Sequence, residues 1–267
     1  MESKPVVSVV IPTYNHAQFL RKAIDSVRHQ TYTEWEAIVV NNYSEDDTEA
    51  VVASFSDPRI RLENFRNYGI IAASRNHGIA LAHGDYIAFL DSDDEWYPEK
   101  LERCVAVLAK GNDLVCHGET WLRNGVAFRK VSYGPAERAH YHSLLFERNC
   151  LSTSAVTVRK SCLDKVGGFS EDSAFAMVEN YELWLKLSGA GFRFAFVDAI
   201  LGEYNIHQAN NSRSVLRQMR AELAVLERHF SIWENWSLLD RLRCLRRFGR
   251  VYLAYGTRWL KQVIMNQ

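Results

Sequence analysis

"AFLDSDDEWYP", residues 88–98, joins an apolar run to three aspartates within four positions, Asp91, Asp93 and Asp94, with Glu95 directly after them. Carboxylates packed this closely push one another toward protonation, so the cluster needs a reason to exist. In an extended segment positions 91 and 93 point the same way, and Asp91 and Asp93 then converge on one ion, or on one ion plus a ligand hydroxyl. Oxygen ligands of this kind suit Mg2+ or Mn2+. An acidic loop ahead of a helix beginning near Pro98 accounts for the same residues, and spacing alone leaves both readings open.

Upstream, the chain alternates between two periods. "VVSVVI" (6–11), "EAIVV" (36–40), "IRLE" (60–63) and "YIAFL" (86–90) are short, rich in β-branched and aromatic residues, and bounded by polar turns. They predict strands. The stretches between them, "HAQFLRKAIDSVRHQ", "DDTEAVVASF" and "IIAASRNHGIALAHG", place apolar residues three and four apart and predict helices. Strands apolar on both faces and separated by helices indicate a parallel sheet covered by helices, an α/β fold. Ligands of such sheets bind beyond the carboxyl ends of the strands. Those ends are "PTYN", where Asn15 is placed to cap the next helix, then "NNYSEDD", then "DSDD". All three are expected along one edge.

That edge has no glycine-rich phosphate loop. The second helix opens instead with "SEDD", Ser44 reading as its N-cap and Glu45, Asp46 and Asp47 as acids at the positive end of its dipole. A phosphate is repelled there. The charge of any phosphorylated ligand on this edge therefore has to be neutralised by something other than backbone amides, and a divalent cation held by carboxylates is the candidate.

The second half is less regular. "LSTSAVTVR" (151–159) alternates as a strand does, "AMVENYELWLKLS" reads as a helix, and "FRFAFV" and "LGEYNIH" read as two further strands. From about Ser214 onward the pattern is helical. The 267 residues, 47% hydrophobic, are enough for one large core. The formal net charge of zero gives no global attraction to nucleic acid. Five cysteines without CxxC or metal-ligand spacing read as core thiols in a reducing compartment. No apolar run approaches a membrane span, so a soluble, cytoplasmic chain is expected.

Together these pieces resemble the inverting glycosyltransferases of family 2, which have the GT-A fold. "VSVVIPTYNHAQFLRKAIDSVRHQT" is similar to the opening signature, "EAIVVNNYSEDDT" to the second strand and turn, and "NYGIIAASRNHGIALAHGDYIAFLDSDD" to the approach to the DXD motif. The likeness continues through "VGGFSED" and "ENYELWLKL" to "EYNIH" and covers roughly residues 6–210. It implies a GT-A domain over 1–210, with a mostly parallel central sheet flanked by helices, and a C-terminal helical extension over 211–267. It also implies a nucleotide-diphospho-sugar donor and a Mn2+ or Mg2+ cofactor bridging the donor diphosphate. Asp93 would hold the ion, Asp91 would assist it or hold the donor ribose, and His207 would approach the metal or diphosphate. On the donor side the resemblance places Pro12, Thr13, Tyr14, Asn15 and Ser92. Arg75 would face the donor phosphates or ribose, although a salt bridge to the "DSDD" acids fits that arginine equally well.

The pattern departs from the family in three places. Relatives usually open the second-half helix with Glu-Asp, the aspartate acting as base, and the matching residues here are Glu179 and Asn180. An amide cannot accept that proton. Glu182 has Lys186 four residues later, the favourable order for an ion pair, whereas Glu179 has Leu183 there. Glu179 is thus the freer carboxylate and the candidate base. Relatives also carry one or two aspartates where this chain has "NNYS", leaving the Asn42 carboxamide to read a base without charge. The third departure is Asn205, an arginine position in many relatives.

The expected activity is metal-dependent, inverting transfer of a sugar to a hydroxyl of a glycan or lipid-linked glycan in surface-polysaccharide or lipopolysaccharide-type assembly. The alternative is a catalytically impaired nucleotide- or partner-binding protein. A nucleotidyltransferase is disfavoured, because "PTYNHAQF" is not a glycine-rich basic loop. From Arg241 to Lys261 seven basic residues and no acid lie among leucines and aromatics. Such a helix either lies on the anionic cytoplasmic face of a membrane or docks on acids of the main domain.

Overall fold

The computed structural model describes residues 6–207, 214–232 and 237–265, with side chains described through residue 260. Four strands form its first half: β1 (Val7–Thr13), β2 (Trp35–Asn41), β3 (Ile60–Asn64) and β4 (Tyr86–Phe89). They pair in parallel in the order β3-β2-β1-β4. Every residue of β1, β2 and β4 is buried, as near-continuous apolar runs require. On one face Val9, Ile11 and Val39 pack with Leu20 and Ile24 of α1 (Ala17–Arg28). On the other, Val10, Ile38 and Val40 meet Ala72 and Ile79 of α3 (Ile71–Leu81). The remaining helix of this half, α2 (Thr48–Ala53), follows β2. Gly78 lets α3 approach the sheet, because a Cβ there would lie 2.5 Å from Val10 Cγ1.

Beyond β4 the sheet becomes mixed. It runs on through β8 (Val156–Arg159), β6 (Leu114–Arg123), β9 (Phe194–Ile206) and the two-residue β5 (Glu95–Trp96), with β7 (Val126–Val131) hairpinned onto β6. β8 is antiparallel to both its neighbours, whereas β9 is parallel to β6. Helices α4 (Lys100–Ala109), α5 (Tyr141–Phe146), α6 (Lys160–Val166) and α7 (Glu179–Gly189) cover this half. The C-terminal extension supplies α8 (Val215–Ser231) and α9 (Leu238–Met265). The expected boundary at 210 lies outside the described residues.

Several expectations need correction. The strand expected over 151–159 begins only at Val156, because the hydroxyls of residues 152–154 bond to the site described below instead of extending the ladder. The two strands read at 192–197 and 201–207 are one, β9, which keeps its course past two shifts of register, one between the pairs His117–Val197 and Gly118–Ile200 and one between Gly118–Ile200 and Thr120–Glu203. The β6–β7 hairpin was not read, although Asn124-Gly125, both at positive φ (51° and 79°), carry a recognised hairpin signal. All five cysteines are free thiols, with Cys104, Cys116 and Cys162 buried. Among the described residues no helix is long and apolar enough to cross a membrane.

Candidate active site

Loops at the carboxyl ends of β1 and β2 are stapled together. Asn15 adopts positive φ (52°) and does not cap α1. Its Oδ1 accepts from the Glu45 N–H at 2.8 Å, and its own N–H donates to Ser44 Oγ at 2.9 Å. The first turn of α1 is satisfied from the other loop, the Ala17 N–H donating to Asp46 Oδ2 at 2.8 Å. Ser44 is likewise not the cap of α2, whose N-cap is Asp47; its hydroxyl donates to Asn41 Oδ1. Within this frame Pro12 and Thr13 are buried in β1 and Tyr14 is half exposed. Asn42 Oδ1, expected to face a base, accepts from the Asn67 N–H at 2.9 Å.

The acidic stretch is not extended. The Asp94 N–H donates to the Asp91 carbonyl at 3.0 Å, closing a turn that sends each aspartate to a different partner. Asp91 Oδ1 accepts from Arg75 Nη2 at 2.6 Å. Asp93 Oδ2 lies 2.8 Å from His207 Nε2, and its carbonyl accepts from Asn205 Nδ2 at 2.8 Å. Asp94, which is 1% exposed, accepts from the Asn205 N–H and from Ser154 Oγ. Burial, reinforced by the neighbouring aspartates, raises the pKa of Asp93 and raises that of Asp94 further. Ser92 Oγ sits 2.9 Å from His16 Nδ1, and the His207 ring stacks on Phe19 at 4.4 Å. Asn205, read as a lost charge, thus ties the end of β9 to the acid turn.

Arg75 joins this turn to α7. It is 3% exposed and donates from Nη1 to Glu179 Oε1 at 2.6 Å while holding Asp91 with Nη2. Both readings offered for Arg75 place it here, and the ion pair to the acid turn is present. Glu179 is therefore not a free carboxylate at Oε1; its buried Oε2 has no partner among the described residues. The Asn180 amide donates to Thr153 Oγ1 at 2.8 Å. Glu182 and Lys186 pair at 3.5 Å as expected, but Glu182 is buried, so this is no surface pair.

Sequence reasoning missed Ser152, Thr153 and Ser154. Ser152 Oγ donates to Glu119 Oε1 at 3.1 Å, Thr153 accepts from Asn180, and Ser154 bonds Asp94 and the Asp91 N–H. Three consecutive hydroxyls ahead of a strand were the available signal, concealed by the alternation of "STSAVTVR". Glu119 was missed with them. It is 1% exposed, accepts from Tyr133 OH at 2.6 Å, and burial pushes its carboxyl up to about 7.

No group of three or more His, Cys, Asp or Glu arranged to hold a metal occurs among the described residues. The pair Asp93 Oδ2 and His207 Nε2 nevertheless fits a divalent cation. Their 2.8 Å hydrogen bond brings one carboxylate oxygen and one imidazole nitrogen to the same point, both of a type that ligates such ions, and the buried Asp93 carboxylate favours a positive neighbour. Two protein ligands suit Mg2+ or Mn2+, which fill the rest of their shell with phosphates and water.

A parallel half-sheet with an acid turn past β4, completed by a mixed half that returns His207 to that turn, defines a GT-A nucleotide-diphospho-sugar transferase fold. The chain belongs to glycosyl transferase family 2, whose family model matches residues 8–167. It is 30% identical over 223 residues to the Escherichia coli UDP-Glc:alpha-D-GlcNAc-diphosphoundecaprenol beta-1,3-glucosyltransferase WfgD, covering 83% of this chain and 85% of that protein. An uncharacterized glycosyltransferase of Rickettsia felis is 31% identical over 220 residues, 79% of this chain; the chain spans only 36% of that protein. Among solved structures it is similar to Staphylococcus aureus TarS in complex with UDP (TM-score 0.69, 18% identity, 93% of this chain and 72% of that one). It also resembles the mannosyltransferase PcManGT of Pyrobaculum calidifontis with GDP-Man and Mn2+ (TM-score 0.61, 17% identity, 95% and 72%).

Proposed function

We propose that the protein moves a sugar, with inversion, from a nucleotide-diphosphate donor to a hydroxyl of a glycan or lipid-linked glycan acceptor at the cytoplasmic face of a membrane, in surface-polysaccharide assembly. The observation that carries this reading is the single buried guanidinium of Arg75 holding both Asp91 and Glu179. It supports the reading because Asp91, expected to serve the donor, and Glu179, expected to serve the acceptor, share one guanidinium. Asp93 and His207 would hold the cation. When bound, Mg2+ or Mn2+ supplies Lewis-acid stabilisation of the departing nucleoside diphosphate. Asp91, fixed by Arg75, orients the donor ribose, with Tyr14, Asn15 and Ser92 along the same edge. Glu179 Oε2 accepts the acceptor hydroxyl's proton, and Arg75 on Oε1 fixes which oxygen faces the acceptor.

The support from relatives is of the same kind: WfgD is named for a UDP-glucose donor and a diphosphoundecaprenol-linked acceptor. Nucleotide-sugar turnover should be compared in wild type, Asp93→Ala and Glu179→Gln. Loss of about 100-fold or more in kcat for Glu179→Gln is expected of a general base. A second reading, nucleotide binding without turnover, is favoured by Asn180 in the usual base position and by the ion pair on Glu179. Cation-dependent nucleotide binding with no turnover in wild type would select it.

A further inference from the structure

A cleft lies where the C-terminal extension meets α5, and none of the residues lining it belongs to the candidate active site. It opens between α5, α8 and α9, with a volume of about 730 Å³, and is lined by seven arginines and two glutamates. Both glutamates are already occupied. Glu222 accepts from the buried Arg247 and, at 2.7 Å, from Tyr255 OH; Glu147 accepts from Arg138 at 3.2 Å. Arg243 pairs with Asp240 at 3.3 Å. Arg148, Arg246, Arg250 and Arg258 have no carboxylate partner among the described residues, so the cleft presents an uncompensated positive wall over a fixed floor. Guanidinium groups recognise phosphate oxygens in bidentate fashion.

The outward face of α9 indicates where the phosphate resides. Leu242, Leu245, Tyr252, Leu253, Trp259 and Leu260 are 42–71% exposed. Their spacings of three, seven and eight place them on one stripe of the helix. Nothing among the described residues covers it, and a Cβ added at Gly249 or Gly256, within the stripe, would meet no atom within 4 Å. Arg246 and Arg250 run along its border. A soluble anion has no use for an apolar stripe, whereas a lipid needs both surfaces.

We infer that α9 lies in the plane of an anionic bilayer, its stripe among acyl chains, and that the arginine cleft receives the phosphate of an anionic lipid headgroup. This deepens the membrane-side part of the proposed function and rests on it for the choice of a lipid, but not on its chemistry. The test is co-sedimentation of the full chain with vesicles of phosphatidylcholine alone or mixed with phosphatidylglycerol. Wild type should sediment with the mixed vesicles and not with the neutral ones. Arg148→Gln/Arg246→Gln/Arg250→Gln should weaken that partitioning about 100-fold, from roughly fivefold per arginine. Leu245→Gln/Leu253→Gln should weaken it too.

All five side chains are exposed, so melting temperatures and nucleotide-sugar turnover should match wild type. That match separates a failure of this inference from a failure of the transferase reading. Equal sedimentation with both vesicle types, or an unaffected triple variant, overturns the inference. So does arginine-dependent binding of inorganic pyrophosphate without vesicle binding, which would make the cleft a soluble-anion site. Self-association abolished by the leucine substitutions, again without vesicle binding, would assign the stripe to a second copy.

Discussion

Arg75 Nη1 lies 2.6 Å from Glu179 Oε1, joining residues 104 positions apart, while its Nη2 lies 2.6 Å from Asp91 Oδ1. Removing a buried cation that serves two carboxylates leaves both uncompensated. Arg75→Met should cost about 3–5 kcal/mol, a fall in Tm of roughly 10 °C for a chain of this size. Arg75→Lys should recover little, since one ammonium cannot reproduce a guanidinium fork reaching two acids. Thermal melts of both variants check this; a lysine variant melting with wild type contradicts the bridging role.

Asp93 and His207 act as a pair in the proposed site, and both are removable without opening the core. Asp93→Asn and His207→Ala should each lower Mn2+-dependent affinity for a nucleoside diphosphate by about tenfold or more, the order that ligand loss produces. Because burial disfavours the Asp93 carboxylate, the asparagine variant should melt no lower than wild type. Calorimetric titration with and without the metal, set beside melting curves, reads both outcomes.

Glu119 gives stability a pH dependence of known sign. Its carboxyl titrates near 4.5 ordinarily and near 7 in the fold, where burial disfavours the charge. Between those values the native state keeps a proton that the unfolded chain has lost. Stability from this group is therefore full below pH 4.5 and falls as pH rises toward 7, by on the order of 3 kcal/mol. Glu119→Gln, permanently neutral, should lose less stability than wild type between pH 5 and 8. Parallel pH profiles of Tm for the two proteins would count against it.

Gly84 sits where a side chain has no room. A Cβ there would meet the Ser8 backbone nitrogen at 2.7 Å and the Val7 carbonyl carbon at 2.9 Å. The Gly84 N–H also donates to Ser8 Oγ, which in turn donates to Glu36. Gly84→Ala should cost about 1–3 kcal/mol through overpacking against backbone that cannot rotate away. Urea denaturation measures it, and a change within experimental error would show that the α3–β4 connection yields.

Much of the first hundred residues was legible, because the runs of β1, β2 and β4 are apolar on both faces and the helices between them keep a clear period. The acid turn was legible as chemistry and misread as geometry. Alternation says where side chains point only in an extended chain, and the Asp91–Asp94 hydrogen bond abolishes that premise. The ion pair of Glu179 was invisible to local reasoning, which compares a helical residue with its neighbours at three and four positions and cannot see Arg75 on α3. The hydroxyls of residues 152–154 were hidden for a related reason: a polar residue in an alternating run reads as solvent-facing, and here Ser152 and Ser154 face buried acids and Thr153 the Asn180 amide.

The irregularity in β9 has a consequence for how the chain tolerates insertion and deletion. Between the pairs His117–Val197 and Gly118–Ile200, β9 accommodates two residues that β6 does not match, and between Gly118–Ile200 and Thr120–Glu203 it accommodates one more. An even surplus leaves the downstream residues facing as they would without it, whereas an odd one turns each of them over. The surplus ahead of His207 is odd, and the side on which His207 meets Asp93 is set by that parity. Removing Asp198 alone should present His207 to the wrong side of the sheet, and removing Asp198 together with Ala199 should return it.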